Sequence, residues 1–328
     1  MSEKKRILSG MRPTGLLHLG NLHGALANWI QMQDTYDCFY FIADWHALTS
    51  DYENTGNISD YVKSMIIDWL SAGLSPEKST LFVQSHIKEH AELFLILSMI
   101  TPVPWLERNP TYKDQIAQLS DKDLSTFGFL GYPVLQAADI IIYKAQAVPV
   151  GIDQVPHVEI TREIARRFNY LYGNVFPEPE AVLTETSKIL GLDRRKMSKS
   201  YHNAIFLADT PEDIVSKASQ MITDPQRARK SDPGDPGVCN VFEFHKLYSE
   251  PQTVAEVNEQ CRTAKIGCVE CKKKMAKNLV TALEPIREKR KYYENNPQLV
   301  ADIIVSGSNK ARAVAQQTME DVRSALKI

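Results

Sequence analysis

The chain has 328 residues, 43% of them hydrophobic, which is enough apolar surface to bury the core of one large domain and a smaller one. A formal net charge of −2 excludes a global basic field that would attract nucleic acid, although it allows a local RNA-binding patch. No apolar stretch is long enough to span a bilayer, and the charged N-terminus leads into a short strand, so we expect a cytoplasmic protein without a membrane contact.

Short apolar segments alternate with amphipathic segments through the first half of the chain. The apolar segments predict strands at 7–9, 38–43, 80–84 and 147–151. The amphipathic segments predict helices at 18–33, 59–72, 89–100 and 155–168. This alternation is typical of βαβ units, so we predict an α/β fold with a Rossmann-like parallel sheet. Residues 101–131 interrupt the rhythm and are predicted to form an insertion.

The second half of the chain shows helices and loops and no predicted strand. Thr210 and Pro211 mark a helix start, as N-cap and first helical residue. We therefore predict a catalytic domain at 1–205 and an all-helical domain at 206–328. The last helix, at about 309–326, is expected to return and pack on the first domain.

A turn rich in Gly and Pro follows the first predicted strand and ends in His18-Leu19-Gly20-Asn21. A strand end followed by a helix start is a place where nucleotide phosphates are bound. His18 and Asn21 lie about one helical turn apart, so both side chains can reach phosphate oxygens, while Gly20 lets an adenine ring approach the backbone. The alternative for His18 is an ordinary residue of a helix start.

A second predicted phosphate site is the run Lys196-Met197-Ser198-Lys199-Ser200. A loop at 196–200 can present two ammonium groups, a hydroxyl and backbone donors to a departing pyrophosphate. Taken alone, the run is equally well explained as a solvated basic loop; the upstream turn favours the phosphate interpretation. The candidate catalytic residues are Lys196, Lys199, Ser198, His18 and Asn21, with Gly20 and Met197 as ATP-binding residues.

Together these two segments resemble the ATP-binding signatures of class I aminoacyl-tRNA synthetases. Asn21 stands where the commonest form has His, a variant seen in the tryptophanyl enzymes. The resemblance implies that ATP with Mg²⁺ activates an amino acid as its adenylate, and that the aminoacyl group then passes to the 3′ end of a tRNA. It also implies ATP contacts for residues elsewhere in the chain: Arg12 at carboxylate or phosphate, Gly151 and Asp153 at the ribose, and Lys113 at the phosphates. A surface lysine is the alternative for Lys113.

The pattern Tyr132-x-x-x-Gln136-x-x-Asp139 places three polar residues on one helix face, in a helix predicted to begin at Tyr132. It resembles the amino-acid pocket shared by tryptophanyl- and tyrosyl-tRNA synthetases. The resemblance implies that Tyr132 and Gln154 hold the α-amine and that Asp139 accepts a hydrogen bond from the polar group of the ring. His46 would line the pocket near the carboxylate or the ring.

Leu8 favours tryptophan over tyrosine. Tyrosyl enzymes have a polar residue there that helps to bind the phenol, and a buried hydroxyl without its partner costs about 1–3 kcal/mol. An indole N–H only donates, so one acceptor is enough for it. Many bacterial tryptophanyl enzymes differ from this chain at Leu8, Arg12 and Gln136, where they have an aromatic residue, Gln and Met. The rest of the predicted pocket consists of Gly10, Val148 and Val150.

Four cysteines follow the spacing C-x21-C-x6-C-x2-C, at Cys239, Cys261, Cys268 and Cys271. A cytosolic chain would not keep structural disulfides, so this spacing predicts a four-thiolate metal site. Such sites hold Zn²⁺ or an iron–sulfur cluster. A subset of bacterial tryptophanyl enzymes resembles this chain here and carries a [4Fe–4S] cluster, which we expect, with Zn²⁺ and free thiols as alternatives. Cys38 stands apart and is predicted to be a core residue.

Basic residues concentrate around these four cysteines, notably at 272–277 and 287–291, and Tyr292 and Tyr293 follow them. The cluster supports an RNA-contacting surface, and the resemblance implies anticodon recognition there. It also implies a homodimer, for which 101–131 is a candidate interface. The chain is thus expected to ligate tryptophan to tRNA(Trp) through tryptophanyl adenylate. The alternatives are a tyrosyl enzyme and a non-catalytic RNA-binding relative.

Overall fold

The computed structural model describes residues 4–110, 112–113, 124–184 and 189–328. Part of the predicted insertion, at 111 and 114–123, lies outside the described residues. No helix in the described ranges is both long and apolar enough to cross a membrane.

Five parallel strands form one sheet in the order β3-β2-β1-β4-β5. The strands are β1 Arg6–Met11, β2 Asp37–Ile42, β3 Ser79–Val83, β4 Ala147–Val150 and β5 Glu180–Leu183. The predicted α/β parallel sheet is confirmed, including the four strands that were predicted from apolar runs. Cys38, on β2, is a core residue with 1% exposure. Edge strand β5 was not predicted, because its residues are exposed or half-buried and show no apolar run.

Helices connect the strands and make up most of the second half of the chain. Those up to residue 172 are α1 Leu19–Asn21, a π-helical turn Leu22–Leu26, α2 Ala27–Met32, α3 Asp44–Asp51, α4 Ile58–Ala72, α5 Glu89–Ile100, α6 Val103–Glu107, α7 Phe127–Ile141 and α8 Val155–Tyr172. Those after residue 200 are α9 Pro211–Gln220, α10 Asn240–Tyr248, α11 Pro251–Arg262, α12 Cys268–Glu294 and α13 Pro297–Leu326.

Local capping chemistry explains where these helices begin. Thr210 and Pro211 start α9 as predicted, with Thr210 Oγ1 accepting from the Asp213 N–H. Helix α7 begins at Phe127 and not at Tyr132, because Thr126 caps it and Pro133 is accommodated inside the helix. Helix α13 is also longer than predicted, because Pro297 occupies its first turn, where a missing N–H costs nothing.

The first compact unit comprises Met1–Thr14, Asn28–Glu185 and Asn296–Ile328. It contains the sheet, and α13 packs against β3 within it. Gly307 permits this contact, because a Cβ at that position would lie 1.9 Å from the Leu81 carbonyl oxygen. Arg323 fixes the far end of α13 with two hydrogen bonds to Glu92, of 2.8 and 2.6 Å.

The second compact unit comprises Gly15–Ala27 and Thr186–Asn295. Its helix α12 packs against α9 and α10 around the buried side chains of Phe244, Met275 and Leu279. These bounds differ from the boundary predicted near residue 205. The reasons are that the turn after β1 groups with the 196–200 loop, and that α13 groups with the sheet. The RNA-binding assignment of 206–328 stays a prediction.

Candidate active site

A cavity of about 380 Å³ opens in the first unit at the carboxyl ends of β1 and β4. Ligands of open α/β sheets bind at this edge. The residues predicted to hold the amino acid all line it: Leu8, Gly10, His46, Tyr132, Gln136, Asp139, Val148, Val150 and Gln154. Predictions made from four separate parts of the sequence therefore meet at one cavity.

Asp139, on α7, is the charged centre of this cavity and is only 1% exposed. His46 Nε2 donates to Oδ2 at 2.7 Å, His90 Nδ1 to Oδ1 at 2.5 Å, and Gln84 Nε2 to Oδ1 at 2.8 Å. Burial by itself would raise the pKa of Asp139, but the hydrogen bonds from His46 and His90 outweigh it and hold the pKa below the usual value. Asp139 is therefore an ionised acceptor.

Tyr132 and His157 form a neutral pair on the same cavity wall. Their Oη and Nε2 atoms lie 2.7 Å apart. Burial lowers the pKa of His157 to about 4, with a smaller contribution from His46, and burial raises the pKa of Tyr132. Arg12, just after β1, also lines the cavity, and its Nη1 donates to Ser50 Oγ at 3.3 Å.

The apolar side of the cavity is set by the pairing of β1 with β2. Leu8 is 2% exposed. Gly10 pairs with Phe41, and a Cβ at Gly10 would lie 2.6 Å from the Phe41 ring. Glycine at this position thus lets the Phe41 ring reach the cavity. Sequence reasoning missed Phe41, although a glycine inside a strand signals such a close approach.

Four of the predicted ATP-binding residues do not line this cavity: Gly20 and Met197, which belong to the second unit, and Asp153 and Lys113. Gly151 lines it, but Asp153, two residues further on, is exposed and accepts a hydrogen bond from Gln154 Nε2 at 3.1 Å. Lys113 is likewise exposed and is not among the lining residues. The ribose and phosphate roles predicted for these two residues gain no support from the cavity.

In the second unit, the turn after β1 meets the 196–200 loop. Lys199 Nζ donates to the Gly15 carbonyl oxygen at 3.0 Å, across 184 positions of sequence. A Cβ on Gly20 would lie 3.8 Å from Met197 Cβ. Gly15 has a φ of 128°, a conformation that favours glycine. The two segments that the sequence analysis joined through a shared phosphate site are therefore neighbours.

His18 is neutral in this setting. Its pKa is lowered to about 4 by burial and then by the positive charges of Lys199 and Lys196. His18 Nδ1 is buried and has no hydrogen-bond partner in the part of the chain that the structure describes. Asn21 Oδ1 accepts the His18 backbone N–H at 3.0 Å. A cluster with two cations and a buried ring nitrogen that has no partner among the described residues can hold an anion.

Asn203 shapes the loop from inside and was missed by sequence reasoning. It is 2% exposed; its Oδ1 accepts the Ser198 N–H at 2.8 Å, and its Nδ2 donates to Asp193 Oδ1 at 2.7 Å. Gly191 makes room for it, since a Cβ there would lie 2.1 Å from Asn203 Nδ2. No signal in the sequence distinguishes this Asn from an ordinary loop residue.

The four cysteines are also brought near one another in the second unit. Burial raises the pKa of Cys271 to about 12, and Cys239, Cys261 and Cys268 add to the effect. Arg227 Nη1 lies 3.8 Å from Cys261 Sγ and 3.9 Å from Cys268 Sγ. Within the described ranges, however, no three His, Cys, Asp or Glu side chains are arranged to hold a metal ion. The described residues therefore show no site for the predicted metal cluster.

Comparison with known proteins agrees with the geometry. Residues 1–284 match the family described as tRNA synthetases class I (W and Y). The tryptophan–tRNA ligase of Thermotoga maritima is 53% identical over 325 residues, covering 98% of this chain and 99% of the relative. That of Aquifex aeolicus is 46% identical over 393 aligned positions, covering 98% of this chain and all of the relative.

Among solved structures, the tryptophanyl-tRNA synthetase of Campylobacter jejuni, complexed with ADP and tryptophan, superimposes with a TM-score of 0.91 at 34% identity. The match covers 98% of this chain and 100% of that one. The fold and the family match identify the chain as a class I aminoacyl-tRNA synthetase. Within that class, the chain belongs to the family that serves tryptophan and tyrosine.

Proposed function

We propose that this chain is an enzyme that ligates tryptophan to its tRNA, with ATP, through a tryptophanyl adenylate. The observation that carries the proposal is similarity over nearly the whole length to tryptophan–tRNA ligases, at 53% identity for the Thermotoga maritima protein. The cavity in the first unit supplies a physical reason for the choice of amino acid.

Asp139 is proposed to accept the indole N–H, because it is an ionised acceptor at the cavity wall. Leu8 presents carbon where a tyrosine hydroxyl would need a second polar partner, which favours indole over phenol. Tyr132 and Gln154, which line the same cavity, are proposed to hold the α-amine. His46 lines the cavity beside Asp139, and its Nε2–H can donate a hydrogen bond to the substrate in place of Asp139.

The triphosphate of ATP, with Mg²⁺, is proposed to bind the paired segments of the second unit. A tryptophan carboxylate oxygen attacks the α-phosphorus, and the bond to the β-phosphate oxygen breaks as pyrophosphate leaves. Lys196 and Lys199 would stabilise the charge that develops on the leaving group. His18 Nδ1, which is buried without a partner among the described residues, supports a further contact to a phosphate.

The second step transfers the tryptophanyl group from AMP to a 3′-terminal hydroxyl of tRNA(Trp). We propose that residues 206–328 recognise this tRNA, since Lys273, Lys277 and Tyr292 are exposed on α12 and could contact phosphates and bases. A cytoplasmic homodimer is proposed from the family resemblance.

We propose further that the four cysteines bind a [4Fe–4S] cluster, with Zn²⁺ as the alternative. Their proximity supports it, and the raised pKa values imply that metal binding would release protons. Anaerobic purification should give a brown protein with about four irons and four sulfides per chain. A chelator should then bleach it and lower the melting temperature. A colourless protein with one zinc, or with no metal, would refute the cluster.

The experiment that tests the activity is amino-acid-dependent exchange of pyrophosphate into ATP. Tryptophan should support exchange with a kcat/KM about 10- to 100-fold above that for tyrosine, since a buried hydroxyl without a partner costs about 1–3 kcal/mol. Preference for tyrosine would remove the interpretation of Leu8. No exchange with either amino acid would favour a non-catalytic relative.

A further inference from the structure

A buried chain of polar groups lies behind Asp139. His90, on α5, and Tyr143, which follows α7, are each 0% exposed, and neither lines the cavity. His90 Nδ1 lies 2.5 Å from Asp139 Oδ1, and His90 Nε2 lies 2.6 Å from Tyr143 Oη. The rings of Phe41 and Phe82 flank His90. Burying polar groups in such apolar surroundings costs free energy unless they are hydrogen-bonded. The series of hydrogen bonds from Asp139 through His90 to Tyr143 therefore indicates a role beyond packing.

The proton positions follow from the bonding capacity of each group. A carboxylate only accepts, so His90 Nδ1–H donates to Asp139. Over the described residues, the one hydrogen-bond partner of Tyr143 Oη is His90 Nε2, so the hydroxyl proton lies on that bond. His90 Nδ1 therefore carries a proton, which lies on the bond to Asp139. Burial raises the pKa of Tyr143 well above its usual value, which keeps the hydroxyl a donor.

Of the three donors to Asp139 among the described residues, His90 and Gln84 are both 0% exposed and do not line the cavity, whereas His46 does. His46 lines the cavity, so a ligand can displace it, whereas His90 is fully enclosed and held from behind by Tyr143. His90 therefore continues to donate when the cavity is occupied. The other titratable or charged groups that face Asp139 and Tyr143 from the elements packed around them are His46, His157, Tyr132, Glu89 and Arg312.

We propose that Tyr143 and His90 are positioning residues that keep Asp139 an ionised acceptor facing the cavity. They thereby set how strongly the pocket selects a ring that carries an N–H. This inference rests on the proposed function, since it takes tryptophan as the ligand. It extends that function to residues that never touch the substrate.

The test compares tryptophan with the analogue in which sulfur replaces the indole N–H, as the ratio of kcat/KM in ATP–pyrophosphate exchange. His90→Leu deletes one of the three described donors to Asp139, and His90→Asn returns an N–H near the position of Nδ1. Tyr143→Phe removes only the hydroxyl. The preference for tryptophan should fall about tenfold in H90L and about threefold in Y143F, and H90N should recover most of it. The losses should appear in KM with kcat little changed.

A pH profile separates positioning from simple packing. Losing the His90 donor raises the pKa of Asp139, so in H90L the KM for tryptophan should begin to rise at a higher pH than in the wild type as the pH is lowered. Thermal unfolding monitors the fold of each variant. In the wild type, ¹⁵N NMR of the imidazole should show the proton of His90 on Nδ1, which requires no variant.

Unchanged preference and unchanged pH profile in folded H90L and Y143F would overturn the proposal. So would a wild-type spectrum in which Nδ1 of His90 carries no proton. If the wild-type protein showed no exchange with tryptophan, the proposed function itself would fail. The ¹⁵N NMR measurement would still decide whether His90 donates from Nδ1 to Asp139.

Discussion

At the scale of single residues, each of the two candidate binding regions contains a buried histidine that is neutral. The pKa values of His18 and His157 are both lowered to about 4, chiefly by burial. His157 thereby accepts or donates at Tyr132 without adding charge beside Asp139. His18 avoids a third positive charge next to Lys196 and Lys199. In each region the charge stays on the residues proposed to bind substrate groups.

The neutral state of His157 predicts how stability depends on pH. Its folded pKa is below the unfolded value of about 6.5, so the unfolded chain takes up a proton first and stability falls as the pH drops below that value. Between pH 7.5 and 5.5 this residue should cost the wild type about 1 kcal/mol in the free energy of unfolding. In His157→Gln, the decrease in the free energy of unfolding between pH 7.5 and 5.5 should be about 1 kcal/mol smaller than in the wild type, as measured by urea denaturation.

The matched control for this prediction is His202→Asn, at an exposed histidine with a φ of 52° that Asn tolerates. H202N should lose as much stability as the wild type over the same pH range. Equal losses in the wild type and in H157Q would contradict the account of His157.

At the scale of elements, buried features were predictable and edge features were not. Strand β3 is buried along its whole length, and Leu81, Phe82 and Val83 form an apolar run in the sequence. Strand β5 alternates weakly because it lies at the sheet edge. Helix α7 shows a different limit: Pro133 suggests a helix start, but the competing cap at Thr126 determines it. Sequence patterns indicate which residues are buried and which can cap a helix, but they do not show which of two possible caps the helix uses.

Helix α13 gives an element-scale prediction through Gly307. Gly307→Ala should destabilise the protein by about 1–3 kcal/mol, because the added methyl group forces α13 away from the Leu81 carbonyl. Gly128→Ala, in α7, is the matched control, since a Cβ there meets nothing within 4 Å. The control should be neutral or gain up to about 1 kcal/mol in helix propensity. Equal melting temperatures for G307A and G128A would contradict the proposed packing.

At the scale of the whole molecule, the sequence led to the binding regions but not to the residues that support them. Motifs and family resemblance identified Asp139, Tyr132 and Lys199. The residues behind them were not identified: the partner of His90 is 49 positions away, and Asn203 bonds within its own loop but matches no motif. Supporting contacts of this kind depend on tertiary structure, which no window of sequence encodes.

The most direct test of the whole account is charging of a tRNA(Trp) transcript with labelled tryptophan by the intact chain. The account predicts ATP-dependent charging that falls at least 100-fold in Lys199→Ala, because one of the two loop ammonium groups is lost, while Lys63→Ala, at an exposed lysine of α4, charges like the wild type. Failure of the wild type to charge this tRNA, or equal rates in K199A and the wild type, would contradict it.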